Sequence, residues 1–138
     1  MMIQYKETKL IKDEDLRPLY ESVGWSYGKK FDDLSVLLTG SYLVYSAWDN
    51  DKLVGFIRTV GDGVSIQYVQ DLVVLPDYRK FGIGKALMGY VLEKSEHIRQ
   101  FVLITDAGSE TQYVRDWYKK QGLTAFEEAS VAGFWRIK

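Results

Sequence analysis

Two glycines and three cations fall in one short run, Arg79-Lys80-Phe81-Gly82-Ile83-Gly84-Lys85, directly after an apolar stretch closed by Pro76. That combination can bind phosphate. Where a strand hands over to a helix, the first N–H groups of the helix lack intrahelical partners. Glycine lets a ligand approach that backbone, and the helix dipole favours an anion there. Three phosphate motifs compete for the run. A P-loop needs glycine at 79 and Ser or Thr at 86, but the chain has Arg79 and Ala86. A dinucleotide fingerprint needs a third glycine at 87, which is Leu87, and belongs after the first strand of a βαβ unit. What stands is Arg-x-x-Gly-x-Gly after a long strand.

The elements that must position this run can be read from periodicity. Residues 3–8 alternate apolar and polar, which predicts an opening strand. Leu16, Leu19, Tyr20 and Val23 recur at helical spacing and Gly24 stops them; Phe31, Leu34, Leu37 and Leu38 predict a second short helix. Strands are predicted at 42–48 and 53–60 around the turn Asp49-Asn50-Asp51-Lys52, then at 64–75. After Pro76 the period changes, and Ile83, Leu87, Met88, Val91 and Leu92 share a helical face. A short strand at 101–105 precedes a helix through Val114, Trp117, Tyr118 and Gln121, with Gly122 as its stop. Residues 123–138 carry two weak strand patterns around Ser130. The predicted order is β-α-α-β-β-β-α-β-α-β-β. The strands flanking the third helix should be parallel and the earlier hairpins antiparallel. The fold class is therefore α/β (α+β): a mixed, mostly antiparallel, twisted sheet with helices on both faces, in a single domain spanning 1–138.

Composition narrows the chemistry. The chain has no cysteine, which removes disulfides, thiolate metal sites and cysteine nucleophiles, and His97 as its single histidine excludes a multi-histidine metal site. A net charge of -1 supplies no global field for nucleic acid or membrane. No apolar run resembles a signal peptide or spans a bilayer, so a cytoplasmic protein is the expectation.

The segment Leu72-Val73-Val74-Leu75-Pro76-Asp77-Tyr78-Arg79-Lys80-Phe81-Gly82-Ile83-Gly84-Lys85-Ala86-Leu87 resembles the coenzyme-binding strand–turn–helix of the GNAT superfamily of N-acetyltransferases. A second match, Trp117-Tyr118-Lys119-Lys120-Gln121-Gly122-Leu123, is similar to the family's Phe-Tyr-x-x-x-Gly-Phe, with Trp and Leu replacing the two phenylalanines. The resemblance implies acetyl-CoA as co-substrate and no metal. It implies that main-chain groups of Leu72, Val73 and Val74 hold the pantetheine arm and thioester carbonyl, an N–H near Val74 being the oxyanion donor. It implies a pyrophosphate on the amides of Lys80, Phe81, Gly82, Ile83, Gly84 and Lys85, with the charge of Arg79 beside them. The strand at 101–105 should splay from its neighbour.

Acetyl transfer to an amine needs a proton acceptor, an aligned thioester, an oxyanion donor and an acid for the leaving thiolate. Tyr118 matches the family's acid tyrosine; by spacing alone it reads as a core aromatic. Asp71 and Asp106 are the candidate bases, each also readable as a solvated or turn-capping carboxylate. The glutamate that some family members use falls near Tyr68, where this chain has no carboxylate. Trp25 and Tyr27, in the loop that walls the family's acceptor pocket, could line a site for an apolar or cationic amine, or plug the core. Glu127 and Glu128 could attract a cation or form a solvated pair. The resulting expectation is direct transfer to a primary amine, with small molecules as the expected acceptors and a homodimer allowed. The rival readings are a protein N-terminal or lysine acetyltransferase, an acyl-CoA sensor without turnover, and a structural domain whose glycines only turn the chain.

Overall fold

The alternating run Ile3–Glu7 forms β1, as its pattern predicts, and pairs antiparallel with β2 (Leu43–Asp49). The structure is a computed structural model describing residues 2–138, which divide into a unit running to Ile104 and a second unit, Thr105–Lys138. In the first unit, β2 pairs antiparallel with β3 (Lys52–Gly61), and β3 with β4 (Ile66–Val74). The chain then crosses over through α4 (Ile83–Lys94) to β5 (Gln100–Leu103), which lies parallel to β4. The sheet order is β1-β2-β3-β4-β5, with the predicted single parallel pair.

Helices cover both faces of this sheet. Three lie between β1 and β2: α1 (Asp13–Ser22), α2 (Tyr27–Lys30) and α3 (Ser35–Thr39). Leu16, Leu19, Tyr20, Leu34 and Leu38 join Val44, Phe56 and Val73 in one buried cluster. The opposite face carries α4, whose Ile83, Leu87, Met88 and Val91 are buried. Gly55 makes room for it: a Cβ there would stand 3.2 Å from Ile83 Cγ2 and 3.1 Å from the Val73 carbonyl. The neighbours Gly55 and Phe56 thus point to opposite helical layers, as strand alternation requires.

The second helix expected through Phe31, Leu34, Leu37 and Leu38 forms only as α3, which begins after Phe31 and Leu34, while the short α2 lies upstream of it. Arg17 explains the break. Its guanidinium donates to the carbonyls of Gly28 (2.7 Å), Phe31 (3.3 Å) and Asp32 (3.2 Å). These carbonyls are satisfied by a side chain instead of by a continuing helix.

The second unit opens with a 3₁₀ turn, Ser109–Thr111, leading into α5 (Gln112–Lys120). The two weak strands expected at 123–138 do not form. Phe126–Ala129 coils into a 3₁₀ turn, Ser130 adopts a left-handed conformation (φ 57°), and Val131 N donates back to the Phe126 carbonyl at 2.8 Å. Local hydrogen bonds of this kind compete with a strand ladder, and alternation alone does not supply a partner strand.

Candidate active site

The glycine run sits where the sequence predicts, between β4 and α4. Pro76–Phe81 forms a 3₁₀ turn, Gly82 takes a left-handed conformation (φ 72°, ψ 16°), and α4 begins at Ile83. The first intrahelical bond shown at this end is Ala86 N to Gly82 O at 3.0 Å. The N–H groups of Ile83, Gly84 and Lys85 therefore have no carbonyl within α4, and no side chain caps them. The side chain of Ile83 is fully buried, so this residue offers its backbone alone. Arg79, Lys80, Phe81, Gly82 and Lys85 are exposed, and Arg79 Nε donates to the Val74 carbonyl at 3.2 Å.

Upstream, β4 has an open edge. Its parallel pairing with β5 covers only Ile66–Val69, opposite Gln100–Leu103. Leu75 N donates to Val54 O at 2.8 Å, so Leu75 and Val73 address β3. By alternation, the N–H and C=O groups of Leu72 and Val74 address the other edge, where β5 no longer runs. Val73 is buried, and Leu72 and Val74 are half-buried. This is the splay the sequence comparison implied.

A bulge in β4 sets what lies behind that edge. Arg58 pairs with Asp71 and Thr59 with Val69, which leaves Gln70 with no opposite residue. The extra residue switches the faces of the strand. Gln67 bonds Thr59 and Ser95, the residue that ends α4. Asp71, an even number of residues later, instead reaches Tyr20 of α1. Its carboxylate is 1% exposed; it accepts from Arg58 Nε and, at 2.7 Å, from Tyr20 Oη. Asp71 is thus neither solvated nor a turn cap. Burial opposes the charge of Arg58, but Asp71 and Tyr20 outweigh it and raise the Arg58 pKa. Burial, then the Asp71 charge, lifts the Tyr20 phenol far above its ordinary range.

Tyr27 meets this network from the loop. Its hydroxyl accepts from Gln70 Nε2 at 2.9 Å and lies 3.5 Å from Asp71 Oδ1. The Tyr27 ring packs against the core cluster and stands 5.0 Å from Tyr20, 6.2 Å from Trp25 and 6.0 Å from Phe31. Trp25 is 38% exposed and Phe31 40%. Tyr27 is therefore partly a core plug, while Trp25 presents a surface. Arg17 holds this loop and is itself held by Asp13, through Nε at 2.9 Å and Nη2 at 2.7 Å. Those bonds lower the Asp13 pKa, together with the Leu34 N–H that Asp13 also accepts at 2.7 Å.

In the second unit, Tyr118 is half-buried on α5, 5.2 Å from Trp117 in an edge-on contact. Burial raises its phenol pKa. Asp106 is exposed; its carbonyl accepts from Arg115 Nη1 at 2.7 Å. Glu128 pairs with Lys119 at 2.7 Å. In the first unit, His97 is exposed beyond α4, with Nε2 at 2.8 Å from the Gly63 carbonyl. No group of three or more metal-ligating side chains occurs among the described residues, and no helix there is long and apolar enough to cross a membrane.

Sequence reading missed Arg58, Tyr20, Gln70, Arg17 and Asp13. One signal was available: Arg58 is the one charge in the interior of β3, past Lys52 at its first residue, and Asp71 is the one charge in β4. Such charges are buried only when paired. The bulge that makes Gln70 and Asp71 neighbours on one face left no such trace.

The architecture is a mixed α/β fold in which the parallel strand pair ends early and an uncapped, glycine-started helix follows. Comparison with known proteins agrees. The acetyltransferase (GNAT) domain family matches residues 40–124, across the boundary of the two units, and the chain belongs to this GNAT acetyltransferase family. It is 35% identical over 127 residues to an uncharacterised N-acetyltransferase ycf52-like protein of Prochlorococcus marinus, covering 88% of this chain and 67% of that protein. A GNAT-family acetyltransferase from Streptococcus pneumoniae superposes with a TM-score of 0.86 at 35% identity, over 99% of this chain and 98% of that one. AAC(6')-Iy, solved with the bisubstrate analogue CoA-S-monomethyl-acetylneamine, shares the fold at a TM-score of 0.70 and 16% identity, over 100% and 99% of the two chains. The protein is an acyltransferase.

Proposed function

We propose that this acetyltransferase moves the acetyl group of acetyl-CoA directly to the primary amine of a small molecule. The observation that carries the donor half is the open edge at Leu72–Val74 running into the free amides of Ile83, Gly84 and Lys85. An extended pantetheine arm can pair with such an edge as an added strand would. A pyrophosphate suits the left-handed Gly82 and the helix start that follows it. The acceptor half rests on Trp25, Tyr27 and Phe31. Behind them the Asp71 carboxylate is already matched by Arg58, so the wall is aromatic without net charge and suits a small apolar amine.

In this reading the amine nitrogen attacks the thioester carbon and the C–S bond breaks. The N–H of Val74 stabilises the oxyanion, and Tyr118 protonates the departing sulfur. Its raised pKa keeps the phenol protonated through neutral pH, as an acid must be. Asp71 is given no base role in this reading, because its buried carboxylate is charge-paired with Arg58 and accepts from Tyr20 on the same oxygen. The amine proton leaves through water, with the exposed Asp106 as the carboxylate free to take it.

Calorimetry with acetyl-CoA, followed by thiol release across a panel of amines, tests the reading. Binding with turnover on small amines is expected; ligand at a hundredfold its dissociation constant adds about 2.7 kcal/mol of stability. No binding at millimolar acetyl-CoA rejects it. Binding without thiol release leaves the sensor reading, and release with peptides alone leaves the protein-acceptor reading. Tyr118→Phe should lower kcat by about 10²–10⁴-fold with acetyl-CoA affinity kept. An unchanged kcat removes Tyr118 from the chemistry.

A further inference from the structure

A set of backbone donors binds an anion best when its aim is fixed before the ligand arrives. The turn Pro76–Phe81 and α4 meet at Gly82, and this junction has little of its own to hold it. Gly82 has no side chain, and a Cβ there would meet nothing within 4 Å. Phe81 is 55% exposed. The backbone and Arg79 bonds of the turn stay local: Tyr78 N donates to Leu75 O at 2.9 Å, and Arg79 Nε to Val74 O. On the helix side the junction is fixed by Ile83, whose side chain is fully buried.

On the turn side the fixed point is Tyr78. Its hydroxyl donates to Asp49 Oδ2 at 2.6 Å, from 29 positions away in the chain. Among the described residues, no other side-chain hydrogen bond joins the turn to an element other than β4. Asp49 ends β2 and pairs with Lys52, the first residue of β3, across a turn in which Asn50 is left-handed (φ 53°). The Lys52 ammonium lies 5.6 Å from the centroid of the Tyr78 ring. The hairpin end thus grips the phenol twice, with a carboxylate on its hydroxyl and an ammonium over its ring face. The bond to Asp49 raises the Tyr78 pKa, which keeps the phenol protonated and donating. Tyr78 and Asp49 are half-buried and lie outside the core cluster, so their bond is placed to aim the turn more than to hold the fold.

We propose that Tyr78, held by Asp49, is a positioning residue for the donor: it fixes the turn so that the N–H groups of Ile83, Gly84 and Lys85 converge on the pyrophosphate of acetyl-CoA. This rests on the donor reading proposed above. The tip of the β2–β3 hairpin then governs donor affinity through one phenol.

Calorimetry with acetyl-CoA and, separately, with S-acetylpantetheine, which lacks the pyrophosphate, tests the tether. The parent should bind acetyl-CoA the more tightly. Tyr78→Phe removes the bond to Asp49 and should weaken acetyl-CoA binding about 3–10-fold. Its S-acetylpantetheine binding and melting temperature should match the parent's. Asp49→Leu should reproduce the loss, and Asp49→Asn, which keeps an acceptor oxygen, should avoid most of it. Tyr78→Phe with Asp49→Leu should lose no more than either change alone. A parent that binds both ligands equally rejects the pyrophosphate site, and the proposal with it. A parent that prefers acetyl-CoA, beside a Tyr78→Phe variant that binds it unchanged, overturns the tether alone. So does a Tyr78→Phe variant that loses both ligands equally, since its defect is then structural. If Asp49→Leu fails to fold, Tyr78→Phe decides.

Discussion

The donor end and the acceptor side of the β4 strand are built from different materials. The proposed donor end, residues 72–74 and 82–85, presents backbone: N–H and C=O groups on the edge of β4 beyond its pairing with β5, and uncapped N–H groups at a helix start. Its apolar side chains, Val73 and Ile83, are buried and serve the core. The acceptor side presents side chains held by other side chains: Tyr27 by Gln70, Asp71 by Arg58 and Tyr20, and the loop by Arg17 on Asp13. A backbone site tolerates side-chain change and binds the invariant part of a co-substrate. A side-chain site can be retuned by substitution.

The contrast is broken most severely at Arg58. Arg58→Met leaves the Asp71 carboxylate buried with one phenol for company, and breaking such a pair costs about 3–5 kcal/mol. Urea unfolding should show that loss, and Arg58→Met with Asp71→Leu should recover most of it. A single-variant loss below 1 kcal/mol, the range of a surface pair, would mean the network is solvated. The donor end is tested next by Gly82→Val. A Cβ there meets nothing within 4 Å, so the cost is chiefly conformational, roughly 1–2 kcal/mol for a left-handed L-residue. Acetyl-CoA affinity should fall further than in Lys80→Ala or Lys85→Ala, each of which removes an exposed charge worth about 0.2–1 kcal/mol. If the lysine variants lose more than Gly82→Val, the cradle is made of charge and not of backbone.

Tyr27→Phe sharpens the other side. It removes the acceptor of the Gln70 amide, worth about 0.5–1.5 kcal/mol, and should raise KM for the amine while leaving acetyl-CoA binding alone. Equal shifts in both would erase the distinction between the two ends. The smallest effect is expected from acid. Asp13 titrates below its ordinary 3.8 because of Arg17 and Leu34. Its folded form binds a proton less readily than the unfolded chain, so its contribution is complete above the ordinary carboxylate range and is lost as pH falls through the folded value. The melting gap between the parent and Asp13→Asn should therefore close on acidification. A gap constant with pH would exclude the Arg17 contact as its source.

Most elements of the fold were legible. The hairpins, the β4–α4–β5 crossover and α5 follow from periodicity and glycine placement, because each is a local consequence of which residues alternate and which can turn. The failures have particular causes. The helix expected through Phe31 is interrupted by Arg17 from another element, and beyond Leu123 local turn bonds take the place of the expected strands. At the site, the glycine run was readable since its function resides in backbone. Asp71 was readable as a candidate but not in its setting, since the Gln70 bulge turns it toward α1.

The sequence by itself therefore located the proposed donor site: Arg79 to Lys85, after an apolar strand and before an amphipathic helix, offers uncapped backbone N–H groups wherever that strand and helix form. Only the tertiary structure decided the surroundings of Asp71 and Tyr27. Their surroundings, Arg58 of β3, Gln70 of β4, and Tyr20 and the Arg17–Asp13 pair of α1, are brought together from two strands and one helix. Burial and pairing, not residue type, decide what a carboxylate can do.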